Sequence, residues 1–69
     1  MLYTIFHHRA GALKGDVEAD SPKQALMIRF KVADYAVKTC DDGTPVLRYG
    51  MRGEPEVIFH EYTAKPKGA

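Results

Sequence analysis

Cysteine is nearly absent from this chain. Cys40 stands alone, so no internal disulfide can form. Small secreted domains usually reinforce a thin core with several disulfides, and a single thiol therefore points to a reducing, cytoplasmic setting. Long apolar runs are also missing. None approaches the roughly 18 residues that a membrane span requires, so no membrane partner is expected. The opening segment, residues 1–9, is apolar over only six positions and has no basic leader, unlike a signal peptide. Excess charge is absent too. The 10 Lys+Arg residues against 9 Asp+Glu leave +1, and no global field names a partner.

Catalytic and metal-binding patterns are equally scarce. His7, His8, His60 and Cys40 are the conceivable zinc ligands. They show neither C-x-x-C nor H-x-x-x-H spacing, and in a strand His7 and His8 point to opposite faces, so no metal is expected. Gly11 and Gly15 lack the pattern of a phosphate loop. Asp41-Asp42-Gly43 reads as turn chemistry rather than a calcium loop or catalytic pair. Cys40 lies beside two acids that disfavour its thiolate. With 69 residues the chain has room for one thin core, and neither catalysis nor a cofactor is expected.

What is present is a clear order of elements. Residues 2–8 are rich in Tyr, Ile and Phe and read as a strand. A glycine-containing loop, 9–15, follows. Residues 16–20 alternate charged and apolar, as a short strand does with Val17 and Ala19 inward. Ser21-Pro22-Lys23-Gln24 then opens a helix, predicted from 22 to about 33. Ser21 is the N-cap, Pro22 takes the first helical position, and Gln24 can reach back to the Ser21 N–H. Residues 35–40 and 46–49 read as two further strands. Between them, a three-residue Asp41–Gly43 loop places Lys38 opposite Val46, Val37 opposite Leu47 and Tyr35 opposite Tyr49. A two-residue loop would turn one strand's apolar face outward. A connection over 50–55 leads to a last strand, 56–62.

These features predict one α+β domain over residues 1–64 and a flexible tail over 65–69. Its architecture is a single antiparallel sheet of about five strands, ordered β-β-α-β-β-β, with one helix on one face. The helix carries more apolar surface than one sheet can hide. Ala25, Leu26, Ile28, Phe30, Val32 and Ala33 span over half its circumference, with Arg29 among them. Either Arg29 lies along the sheet edge with its head in water, or that flank meets a second copy or a partner. The last strand is expected to bury Val57 and Phe59, leaving Ile58, His60 and Tyr62 on the open face with Lys38 and Arg48. Strand 1 is open to two readings, with Tyr3/Ile5 or Leu2/Phe6 inward.

The segment Val17-Glu18-Ala19-Asp20-Ser21-Pro22-Lys23-Gln24-Ala25, with this order of elements and this length, resembles small anti-CRISPR proteins of phages and mobile elements. These proteins act against the type I-F surveillance complex. The likeness in element order spans nearly the whole chain, whereas the residue match is confined to the strand–helix junction. The resemblance implies a non-enzymatic inhibitor in the host cytoplasm that docks on a bacterial defence complex and blocks nucleic-acid access. No binding motif of the family is matched, so it transfers no functional residue.

Read from the residues alone, the leading expectation is a protein-binding module. A chain of this size can still bury the ~800 Å² per partner of a standard interface. The candidate contacts are Arg9, Arg29, Lys38, Arg48, Tyr49, Arg52, His60 and Tyr62, since Arg and Tyr often dominate interfaces. Two alternatives are a nucleic-acid binder using the open sheet face and a homodimer built through the helix flank or a sheet edge.

Overall fold

The computed structural model describes residues 1–52 and 57–68, and among these it shows one antiparallel sheet and one α-helix. The strands are β1 (Leu2–His7), β2 (Gly11–Ala12), β3 (Val17–Glu18), β4 (Val37–Thr39), β5 (Pro45–Arg52) and β6 (Val57–Pro66). Helix α1 spans Pro22–Phe30. The sheet order is β2-β1-β6-β5-β4, and β3 pairs with β1 further along the same edge. The expected class and helix placement hold, with six strands rather than five. The additional strand is β2, inside the expected loop, where Ala12 pairs with Phe6 and Gly11 with His7. Gly11 has φ of 79°, a conformation that other residues enter at a cost.

The helix start follows from its residues. The Ser21 hydroxyl accepts from the Gln24 N–H at 3.1 Å, and Pro22 takes the first turn. Gln24 does reach back, but its side-chain oxygen accepts from the N–H of Asp20, one residue before the cap. The helix ends three residues earlier than expected. Lys31 adopts φ 55°, ψ 49°, and the N–H of Val32 donates to the Met27 carbonyl at 3.1 Å, the long bond of a Schellman turn. Val32 and Ala33 therefore leave the helix, which removes part of its apparent apolar surplus. Met27 and Phe30 pack against the core, and Ile28 is half exposed.

Lys31 is the only non-glycine residue with positive φ among those described. A Cβ in that conformation is disfavoured by about 1–2 kcal/mol. Lys31→Gly is therefore expected to stabilise the fold by about 0.5–1 kcal/mol, after glycine's greater unfolded-chain entropy is deducted. Urea denaturation checks this, and an unchanged or lower midpoint would contradict it.

After the helix, Asp34–Ala36 form one 3₁₀ turn. Tyr35, expected inward on a strand, lies in this turn and is 79% exposed. The early helix stop consumes the chain that was expected to extend, so β4 begins at Val37. From there the predicted register is realised: Val37 faces Leu47 and Lys38 faces Val46. The three-residue loop is closed by Gly43 N–H to Cys40 C=O and Cys40 N–H to Thr44 C=O, both 2.9 Å, with Gly43 at φ 88°. The Asp42 carboxylate accepts the Thr44 N–H at 2.9 Å, and that bond holds its pKa below the usual carboxylate range.

The core lies between α1 and one face of the sheet. Ile5, Leu26 and Leu47 are essentially inaccessible, joined by Tyr3, Val17, Val37 and Ala64. In β1 the inward set is thus Tyr3 and Ile5. Residues opposite each other in an antiparallel pair share a face. Ala64 lies opposite Ile5, and Tyr62 lies opposite both His7 and Leu47. Hence β6 turns His60, Tyr62 and Ala64 toward the helix side, the reverse of the expected orientation. Phe59, expected in the core, is 47% exposed on the other face.

The cause is the length of β6. It runs to Pro66, and Lys67 N–H donates to the Leu2 carbonyl at 2.9 Å. Residues 65–67 are therefore tied to β1 rather than forming a loose tail. Glu61 consequently sits in mid-strand, where it needs the open face and an Arg48 partner. The Lys67 ammonium also meets Asp16 at 2.6 Å, and this hydrogen bond lowers the Asp16 pKa. The side chains of Val57 and Ile58, and the connection over 53–56, lie outside the described residues.

Candidate partner-binding face

The face of the sheet turned away from α1 is built by alternation. Val37 and Leu47 point inward, so Lys38, Val46 and Arg48 point outward. Leu47 opposite Tyr62 likewise sends Glu61, Thr63 and Lys65 outward, and Ile5 opposite Ala64 sends Thr4 and Phe6 the same way. Across β4, β5 and β6 the described side chains of this face thus include three cations, Lys38, Arg48 and Lys65, and the carboxylate of Glu61, while its β3 edge adds Glu18, opposite Leu2, and Asp16, bound by Thr4 and Lys67.

Its side chains are ordered in pairs. The Arg48 Nε and Nη2 both donate to Glu61 Oε1, at 3.0 and 2.6 Å. The Arg48 guanidinium carbon also lies 5.5 Å from the centroid of Phe59. Lys65 Nζ lies 5.4 Å from the Phe6 ring. Both cation–aromatic distances fall within the range of attraction. Being exposed, these pairs add little stability. Their effect is to hold flat apolar surface and positive charge side by side. Beside them is an open depression of about 390 Å³ lined by Ala36, Lys38, Thr39, Cys40, Val46, Arg48 and Glu61.

The helix side carries a separate ring cluster beyond the end of α1. The Tyr62 ring is 4.5 Å from Phe30, 5.1 Å from His7 and 6.1 Å from Tyr49. Phe30 and Tyr49 meet edge-on at 5.7 Å. His7 stacks on His8 at 4.6 Å, and its Nε2 lies 2.8 Å from His60 Nδ1.

The eight candidate contacts therefore do not form one surface. Lys38 and Arg48 lie on the open face as expected. Tyr49, His60 and Tyr62 lie on the helix side, where Tyr62 packs against the core. Arg9 is exposed in the turn after β1. Arg29 is exposed on α1 with its guanidinium 5.3 Å from the Phe30 ring. Arg52 ends β5, and its side chain lies outside the described residues. Phe6 belongs to the face under the Tyr3/Ile5 reading of strand 1, which the structure takes, whereas Phe59 and Lys65 were not foreseen there. Strand alternation carried through to Pro66 is the signal that finds them.

Among the described residues no three His, Cys, Asp or Glu side chains converge as a metal site. The histidines show a physical reason. His7 Nδ1 accepts the N–H groups of Arg9 and Ala10 at 3.1 and 3.0 Å. The ring proton of neutral His7 is therefore on Nε2, which leaves no lone pair there for a metal. No described helix is long and apolar enough to cross a membrane. Comparison with protein-family models, with curated proteins and with solved structures yields no match for this chain.

Proposed function

We propose that this chain is a non-enzymatic binding module that presents the open face of its sheet to an acidic surface on a partner protein. The observation that carries this reading is the uncovered face itself. Over β4, β5 and β6, Lys38, Arg48 and Lys65 outnumber Glu61, exposed Phe59 and half-buried Phe6 lie among them, and the carboxylates of Glu18 and Asp16 are confined to the β3 edge. An interface of this kind uses its aromatic anchors for area and its cations for orientation and on-rate. The resemblance to type I-F anti-CRISPR proteins supports a finer reading in which the partner is a bacterial defence complex. A basic face does not mimic nucleic acid, so inhibition would be by steric cover of the complex beside its nucleic-acid channel.

The test is interference by a type I-F system against a targeted phage in cells expressing this chain. Restored plaquing is the expected result. Lys38→Glu, Arg48→Glu and Lys65→Glu together are expected to reduce it about a hundredfold or more, with the circular dichroism spectrum unchanged. Intact interference in the presence of the folded wild-type chain removes the defence-complex reading. A triple variant that retains every association of the wild type removes the choice of face.

A second reading draws on the same cation–aromatic pairs. Phe6 and Phe59 can stack bases while Lys65 and Arg48 meet phosphates. Single-stranded DNA titrated at low salt distinguishes the two. Binding that weakens steeply with added salt supports nucleic acid, and no binding at low salt excludes it.

A further inference from the structure

We propose that His7, His8 and His60 form an acid-released latch that fastens the turn after β1 to the sheet. The hydrogen-bond directions carry the proposal. In all three rings Nδ1 faces a donor. His7 Nδ1 accepts from Arg9 and Ala10 N–H. His8 Nδ1 accepts the Glu61 N–H at 3.1 Å. With the His7 proton fixed on Nε2, the 2.8 Å contact to His60 Nδ1 is a donation from His7 to His60. In the neutral form of each ring the proton is thus on Nε2.

An added proton has no vacant acceptor to occupy in this network. It must go to an Nδ1, which changes that nitrogen from acceptor to donor and breaks the bond it makes. On His7 the charged ring would face two backbone N–H groups. On His60 it would face the His7 Nε2–H. On His8 it would release Glu61 N–H, beside the bond from His8 N–H to the Glu61 carbonyl at 3.1 Å.

The surroundings do little to rescue the charge. Arg9 approaches from the turn and opposes it. On β6, Tyr62 meets His7 by its ring edge, and the Glu61 carboxylate is engaged by Arg48 on the other face. Opposite His60 on β5 stands Tyr49, and from α1 the approaching side chain is Phe30, with Arg29 over its ring. Partial burial, then His8, His60 and Arg9, lower the His7 pKa from its ordinary 6.5. A group that titrates lower in the closed form than in the open one stabilises closure fully above the open-state pKa. That contribution falls as pH drops below about 6.5.

Below that pH the turn over residues 8–10 and the adjoining end of β1 detach, while the core around Ile5, Leu26 and Leu47 is untouched. Two measurements test this. Ring nitrogen NMR at pH 8 is expected to show all three histidines protonated on Nε2, and an Nδ1–H form of His7 or His8 would overturn the proposal. Amide exchange, corrected for intrinsic rates, is expected to show Arg9, Ala10 and Glu61 losing about tenfold protection between pH 8 and pH 5, the scale of one lost hydrogen bond. Asn places its side-chain oxygen where Nδ1 stands and does not titrate. His7→Asn is therefore expected to keep Arg9 and Ala10 protected at pH 5, and His8→Asn to keep Glu61 protected. Protection in the wild type that is independent of pH, or lost equally in the Asn variants, would refute the latch.

Discussion

Leu26→Ala is expected to bring this protein close to unfolding at room temperature. Leu26 is fully buried in the middle of α1, between Ala25 and Met27, and belongs to one core with Ile5, Leu47 and Ala64. Truncating a buried leucine removes transfer free energy and leaves a cavity, together about 2–5 kcal/mol. A domain of this length is stabilised by roughly 0.05–0.15 kcal/mol per residue, or about 3.5–10 kcal/mol in all. One side chain thus represents a large share of the whole. Among the described residues Ile5, Ala25, Leu26 and Leu47 have essentially no exposure, so a neighbouring side chain has little slack with which to fill the space. Urea denaturation monitored by circular dichroism measures the effect. Ile28→Ala on the same helix is the control. Ile28 is 50% exposed, and its truncation is expected to cost below about 1 kcal/mol. Equal losses at 26 and 28 would mean that the helix does not present the face described here.

That face was partly legible from residue types alone, and the limits have physical causes. The N-terminus of α1 is marked by local chemistry, Ser21 as cap and Pro22 behind it, and the structure uses both. The C-terminus is not marked, because Lys31 takes a left-handed conformation that a glycine would have announced. The β4–β5 register follows from Asp41-Asp42-Gly43, since one turn geometry sets the pairing of every residue on both sides. The orientation of β6 does not follow from such a signal. Val57 through Tyr62 is apolar or aromatic on both sides of the strand, so alternation gives two solutions of similar quality. The tie is broken beyond residue 62. Ala64 is small enough to lie against α1, and Lys65 stands on the open face over Phe6.

The candidate site inherits this division. Lys38 and Arg48 were found because their strands have an unambiguous inner face at Val37 and Leu47. Phe59 and Lys65 were missed because the orientation and the end of β6 were both misread. The same error moved Tyr62 and His60 to the wrong side of the sheet. The proximity of His60 to His7 depends on the pairing of β1 with β6, which residue spacing along the chain does not reveal.

Tyr62→Ala and Phe59→Ala together test that orientation directly. In the structure Tyr62 is half-buried, and its ring joins Phe30 at the end of α1 to His7 on β1 and Tyr49 on β5. Its removal is expected to cost about 2–3 kcal/mol, somewhat below the range for a fully buried aromatic. Edge-to-face partners contribute beyond buried area, so Phe30 and Tyr49 would lose a neighbour that no other side chain replaces. Phe59, 47% exposed beneath Arg48, is expected to cost below about 1 kcal/mol when truncated. If β6 faced the other way, the order would reverse, with Phe59 in the core and Tyr62 near neutral. Denaturation midpoints of the two variants decide between these arrangements without any knowledge of the partner. The same pair separates stability from recognition: Phe59→Ala should weaken association through the open face while the fold stays intact, whereas Tyr62→Ala should act through the fold.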